Sequence, residues 1–173
     1  MGKQFEDVLA YSQTVDLRGA DEMVALGDLF DEIMWDLNGD ILASKAKIDC
    51  AELPDIFGNR MQFRALFQNL VSNAIKYNAP DRNPVVTISA VTDEKLGEHH
   101  ITIADNGIGI APKDQKKIFE LFSRLHVRDQ YAGTGVGLSL CQRVAANHQG
   151  AITVSSDGKK GTAFKVQIPV RKP

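Results

Sequence analysis

The chain has 173 residues, 43% of them hydrophobic and 24% charged, enough for one globular domain with a full core. Its 20 basic and 22 acidic residues leave a formal net charge of −2, which argues against a dominant nucleic-acid or anionic-membrane surface. Cys50 and Cys141 stand in unrelated contexts with no CxxC spacing, so zinc is disfavoured and both are expected to be reduced, buried thiols in a cytoplasmic setting.

Residues 4–15 place Phe5, Val8, Leu9 and Ser12 at helical spacing, as at the end of a longer helix. Residues 16–22, DLRGADE, form a polar linker. Val24-Ala25-Leu26 suits a short strand. Asp28 is a candidate N-cap for a helix carrying Leu29, Phe30, Ile33, Met34, Leu37 and Ile41, interrupted by Asn38-Gly39. Residues 48–53 are a second predicted strand, closed by Pro54. The strongest element is a helix between Asn59 and Tyr77. Its residues Phe63, Leu66, Phe67, Leu70, Val71 and Ala74 make one apolar stripe, and Asn78-Ala79-Pro80 ends it.

Residues 85–92 and 100–104 are predicted to pair as a hairpin. A glycine turn at 105–110 follows, and residues 118–122, IFELF, look helical. A further helix starts at the Gly133–Gly137 run, turns Leu138, Cys141, Val144, Ala145 and His148 to one face, and stops at Gly150. Two last strands, 151–155 and 162–168, flank the turn DGKKG. This order predicts an α+β fold, one sheet with helices over one face.

Four polar or glycine segments stand out. Asn69 and Asn73 lie one turn apart at the edge of the apolar stripe, with Lys76 and Tyr77 continuing that edge. They are either solvated amides or, since an amide oxygen suits a hard cation, part of a Mg²⁺ site. Asp105-Asn106-Gly107-Ile108-Gly109-Ile110 follows a strand. A carboxylate there can accept a hydrogen bond from a nucleobase, and the glycines permit close approach, although DNG is also an ordinary turn. Gly133-Thr134-Gly135-Val136-Gly137-Leu138 opens a helix, where backbone N–H groups can meet phosphate. It is neither a Walker A loop nor a Rossmann fingerprint. Gly161-Thr162-Ala163-Phe164 enters the last strand and alone reads as a hairpin turn.

Taken in order, these segments resemble the N, G1, G2 and G3 boxes of the histidine kinase branch of the GHKL ATPases, with IFELF as the F box. The resemblance spans roughly residues 20–170, and FSRLHVRDQYAGTGVGLSLC is most similar to phytochrome-type kinases. It implies a Bergerat-type two-layer α+β sandwich with a mostly antiparallel mixed sheet, helices on one face and a mobile ATP lid. It implies that residues 1–17 are the end of a dimerisation helix with its linker and that 18–173 are the ATP-binding catalytic domain. ATP and Mg²⁺ are the implied cofactors. Asn73 would ligate Mg²⁺, Asn69 would sit near the γ-phosphate and orient the phosphoacceptor, Lys76 would neutralise phosphate and Tyr77 would line the pocket. Asp105 would accept the adenine amino hydrogen bond, with Thr162 supporting it through water. Gly107 and Gly109 would shape the start of the lid, and Gly133, Thr134, Gly135, Gly137 and Leu138 its end; Arg124 would contact phosphate.

The implied function is transfer of the γ-phosphate to a histidine on a dimerisation domain of the same kinase, and so indirectly to a response regulator, in two-component signalling. No histidine here stands in the expected upstream helical context. His99 and His100 are expected to be solvated at a hairpin edge, His126 to lie in the lid and His148 to be a satisfied core residue. The isolated chain is therefore expected not to phosphorylate itself, to be a monomer or weak dimer, and to contact neither nucleic acid nor membrane. The alternatives are a hydrolytic ATPase of the same superfamily, disfavoured by Asn69 where a carboxylate would activate water, and a docking module that binds no nucleotide.

Overall fold

The computed structural model describes residues 20–123 and 135–172; the predicted helix over 4–15 lies outside them. In chain order the elements are β1 (Glu22–Ala25), α1 (Leu26–Asp36), α2 (Asn38–Ser44), β2 (Lys47–Cys50), β3 (Asp55–Gly58), α3 (Arg60–Lys76), β4 (Val85–Asp93) and β5 (Glu98–Asp105). Two single 3-10 turns follow, at Pro112–Asp114 and Lys117–Phe119, then α4 (Gly137–Asn147), β6 (Ala151–Ser155) and β7 (Ala163–Pro169).

The main sheet has five strands in the order β2-β4-β5-β7-β6. β2 runs parallel to β4, and the other pairings are antiparallel. Period-two alternation turns Val86, Ile88, Ile101, Ile103, Ile152, Phe164, Val166 and Ile168 to one face, where all are buried. α3 and α4 pack over that face and α1 packs on α3, which is the expected helices-on-one-face arrangement. β5 is the middle strand: Ile103 pairs with Ile88 on one side and Phe164 on the other.

α3 begins where expected. The Asn59 side chain accepts the Gln62 N–H at 3.1 Å and so caps the helix. Its predicted stripe is buried throughout, with the Phe67 ring 5.0 Å from Phe30 and 6.4 Å from Phe63. His148 behaves as the expected core residue. Its Nε2 accepts the Asn59 N–H at 3.0 Å, its Nδ1 donates to the Val144 carbonyl at 2.8 Å, and its ring lies 4.2 Å from Phe63.

Several expectations need correction. α1 starts at Leu26, capped by Ala25 with no side-chain bond, so Asp28 sits in the first turn and β1 ends a residue earlier than predicted. The helix breaks at Leu37, and α2 buries none of its residues. The strand expected over 48–53 stops at Cys50, because its parallel pairing with β4 ends there. β3 was not anticipated; it pairs antiparallel with β1 in a separate two-stranded sheet. IFELF makes one 3-10 turn, with Ile118 buried and Leu121 and Phe122 exposed. Cys50 is exposed, being on the edge strand, whereas Cys141 is buried. His99 is buried on the face that Ile101 and Ile103 share, with Nδ1 2.9 Å from the Thr92 hydroxyl, and half-buried His100 pairs with Glu98 at 3.0 Å.

Candidate functional site

Asp105 ends the central strand, half-buried. Its backbone continues the sheet by donating to the Thr162 carbonyl at 2.8 Å. Its side chain turns back on the chain: Oδ1 accepts the Gly107 N–H at 2.8 Å and the Thr162 N–H at 3.1 Å. Among the described residues Oδ2 accepts no hydrogen bond. Burial raises the carboxyl from its ordinary value to about 6, against the two N–H donors, which pull it down. The outcome is a carboxylate fixed through one oxygen and open at the other.

The edge of α3 reaches the same place. The Tyr77 carbonyl accepts the Ile108 N–H at 3.0 Å. A methyl group on Gly107 would lie 2.2 Å from that carbonyl oxygen, so the loop passes only because the residue is glycine. The Lys76 ammonium lies 4.8 Å from the centre of the Tyr77 ring. Asn69, two turns earlier, donates from Nδ2 to the Ala65 carbonyl at 2.8 Å. Its Oδ1 lies over the start of α4, 2.5 Å from where a Gly137 Cβ would be. Asn73 is half-buried on the same edge, between Asn69 and Tyr77.

The remaining glycines fall into place around these groups. Gly135, at φ 76°, meets the backbone of Phe122 and Ser123, and its carbonyl accepts the Phe122 N–H at 2.9 Å. Gly109, at φ 76°, packs against Gly158 and Lys159. Leu138 is half-buried and packs on the core. The structure thus joins Asp105, Gly107, Thr162 and Tyr77 in one contact set and Asn69 with Gly137 in another, the two linked by α3. Arg124, Gly133, Thr134 and His126 lie outside the described residues.

Sequence reasoning assigned no role to three residues that hold this loop. The Asn106 side chain accepts the Val85 N–H at 2.8 Å and donates to the Asn83 carbonyl at 3.1 Å, stitching the end of β5 to the start of β4. The Ser156 hydroxyl accepts the Ile110 N–H at 2.9 Å and donates to the Gly161 carbonyl at 2.6 Å. Gln115 donates to the Ser156 carbonyl at 2.8 Å and the Ile110 carbonyl at 3.3 Å. Only Asn106 carried a signal, in its DNG turn; single polar residues such as Ser156 and Gln115 carry none.

Residues 58–172 match the family described as histidine kinase-, DNA gyrase B-, and HSP90-like ATPase. The phytochrome-like protein Cph1 of Synechocystis sp. is 34% identical over 166 residues, which is 95% of this chain and 22% of that protein. Sensor histidine kinase RppB of the same genus is 38% identical over 117 residues, 66% of this chain and 25% of that protein. The chain therefore spans about a quarter or less of the length of these relatives. Full-length ShkA, solved in complex with AMPPNP, superposes with a TM-score of 0.83 at 23% identity, over 99% of this chain and 36% of that one. The matched stretch runs from just before α3 to beyond the last strand, so every contact around Asp105 lies inside it, and the chain belongs to the family of histidine kinase-, DNA gyrase B- and HSP90-like ATPases, on its sensor histidine kinase side.

Proposed function

We propose that this domain binds ATP with Mg²⁺ and donates the γ-phosphate to a histidine on the dimerisation domain of its own kinase, in two-component signalling. The observation that carries the reading is Asp105. Its Oδ1 is tied by two backbone N–H groups, which leaves Oδ2 to accept a hydrogen bond from the exocyclic amino group of adenine. Guanine presents a carbonyl at that position, and two acceptors would face each other across the contact. Thr162 backs the contact from the neighbouring strand through a water.

The phosphate end falls to α3 and the start of α4. The Asn73 amide oxygen is a hard donor suited to Mg²⁺. Among the described residues no group of three His, Cys, Asp or Glu is placed to hold a metal, so the ion would complete its shell with water and phosphate oxygens, as suits one carried in by the substrate. When bound, Mg²⁺ supplies charge neutralisation for the phosphates. Lys76 adds a positive charge on the same edge. Gly137 lets the start of α4 come close to the Asn69 amide, and Gly135, just ahead of α4, lets the chain pass close to Phe122 and Ser123. Asn69 is an amide and so cannot take a proton from water; it orients the acceptor rather than driving hydrolysis.

The three described histidines suit transfer to a partner. Both ring nitrogens of His148 are engaged in the core, His99 is buried and His100 is paired with Glu98. The test mixes the chain with ATP-Mg²⁺ and a separately made dimerisation domain bearing the acceptor histidine. Acid-labile phosphate is expected on that domain and none on this chain. Asn73→Ala is expected to lose Mg²⁺-dependent binding more than Mg²⁺-free binding. ATP at 100 times its dissociation constant should add about 2.7 kcal/mol of stability; no shift with any adenine nucleotide, or steady hydrolysis without transfer, would refute the proposal.

A further inference from the structure

The Asp105 carboxylate is held from one side by the Thr162 N–H, at 3.1 Å. That N–H belongs to the peptide unit whose carbonyl is that of Gly161. A trans peptide is planar, with its N–H and C=O pointing in opposite directions. Whatever fixes the carbonyl therefore fixes the N–H. The Gly161 carbonyl accepts the Ser156 hydroxyl proton at 2.6 Å.

This peptide needs such a lock. Gly161 has φ 93°, a conformation open to glycine and strained for other residues. A Cβ at this position would lie 1.9 Å from the Asp105 carbonyl oxygen, so no side chain can brace the turn from within. A glycine peptide without a brace is free to rotate, and half a rotation would turn a carbonyl oxygen toward the carboxylate in place of the N–H. The Ser156 hydroxyl is itself held. It accepts the Ile110 N–H at 2.9 Å and the Gly158 N–H at 3.2 Å, so its single donor and both acceptor sites are committed. Ile110 belongs to the loop that leaves Asp105. One hydroxyl thus ties that loop to the peptide that aims the carboxylate.

We infer that Ser156 is a positioning residue, which locks the Gly161–Thr162 peptide so that its N–H points at Asp105 and sets the direction in which the free carboxylate oxygen faces a ligand. The consequence for nucleotide selection rests on the reading of Asp105 given under Proposed function; the lock itself does not. Accepting the serine proton also polarises the amide and strengthens its N–H as a donor.

The lock is read in the nucleotide-free chain by following the Asp105 side-chain carboxyl through a pH titration by NMR. Ser156→Ala is expected to raise the titration midpoint above that of the wild type, because the charged form loses a donor. Ser156→Thr, which keeps the hydroxyl, is expected to restore it, and Ser156→Gly deletes the hydroxyl a second way should the alanine chain not fold. Gln115→Ala removes bonds to the Ile110 and Ser156 carbonyls and leaves the Gly161–Thr162 peptide alone, so it is expected to lower the melting temperature without moving the midpoint. ATP binding to Ser156→Ala is expected to weaken about tenfold, the worth of one hydrogen bond to a charged group, with a smaller loss for a purine riboside triphosphate lacking the amino group. A midpoint unmoved in both Ser156→Ala and Ser156→Gly overturns the inference. A midpoint that moves while ATP affinity stays at the wild-type value upholds the lock and instead overturns the assignment of Asp105 to adenine.

Discussion

Asp105→Asn separates what the carboxylate does for a ligand from what it does to the fold. Burial lifts the carboxyl from 3.8 to about 6, so the folded chain keeps its proton to higher pH than the unfolded chain. As pH rises from 3.8 to about 6 the folded state is progressively destabilised, and above about 6 the whole effect is present. At about 1.4 kcal/mol per pH unit, that gap corresponds to about 3 kcal/mol. Asparagine has nearly the same shape, can still accept the Gly107 and Thr162 N–H groups and carries no charge. In the absence of nucleotide the variant is expected to be more stable than the wild type at pH 7.5, by up to about 3 kcal/mol or roughly 6–12 °C in melting temperature for a domain of this size. The difference should vanish near pH 4. Urea unfolding of both chains between pH 4 and 8 measures it, and adding ATP at pH 7.5 should stabilise only the wild type. An Asp105→Asn variant that folds yet is no more stable than wild type at pH 7.5 would refute the claim that the buried charge strains the fold.

Two further perturbations probe the scaffold. His148 is held neutral, its pKa lowered by burial, with the Val144 hydrogen bond and Asp21 pulling upward and Arg171 adding to the lowering. A charged imidazole would oppose a donor to the Asn59 N–H, so this group's contribution is intact above pH 6.5 and lost as pH falls below it. His148→Gln is expected to flatten that acid limb in urea titrations, and an unchanged limb would reject the assignment. Gly161→Ala combines a strained φ with a 1.9 Å approach to the Asp105 carbonyl; it is expected to destabilise by more than about 3 kcal/mol, and a melt within about 2 °C of wild type would contradict the close packing.

What could be read from the sequence was local and periodic. Helix α3 spans 17 residues, long enough for a 3.6-residue repeat to declare itself, and its Asn59 cap sits where an N-cap belongs. The two C-terminal strands flank a turn rich in glycine and lysine. β3 stayed hidden because its four residues pair with β1, some 30 positions away, and alternation cannot register in so short a strand. Cys50 and His99 were misjudged for the same reason: exposure depends on which strand is at the sheet edge and which face meets the helices, and sheet order is not a local property. Asp105 and Gly107 stand in what is also an ordinary DNG turn, and only the order of the four polar and glycine segments along the chain singled them out. Ser156 was not legible, since a hydroxyl's partners are chosen by the fold.

Asp105 and Thr162 are 57 positions apart, and Thr162 reaches its place only when β7 has inserted between β5 and β6. On a ribosome, which releases the chain from its N-terminus, the Asp105 carboxylate therefore stays unaimed until β7 has emerged. If ATP binds through Asp105 as proposed, it can stabilise only a chain whose sheet is already complete.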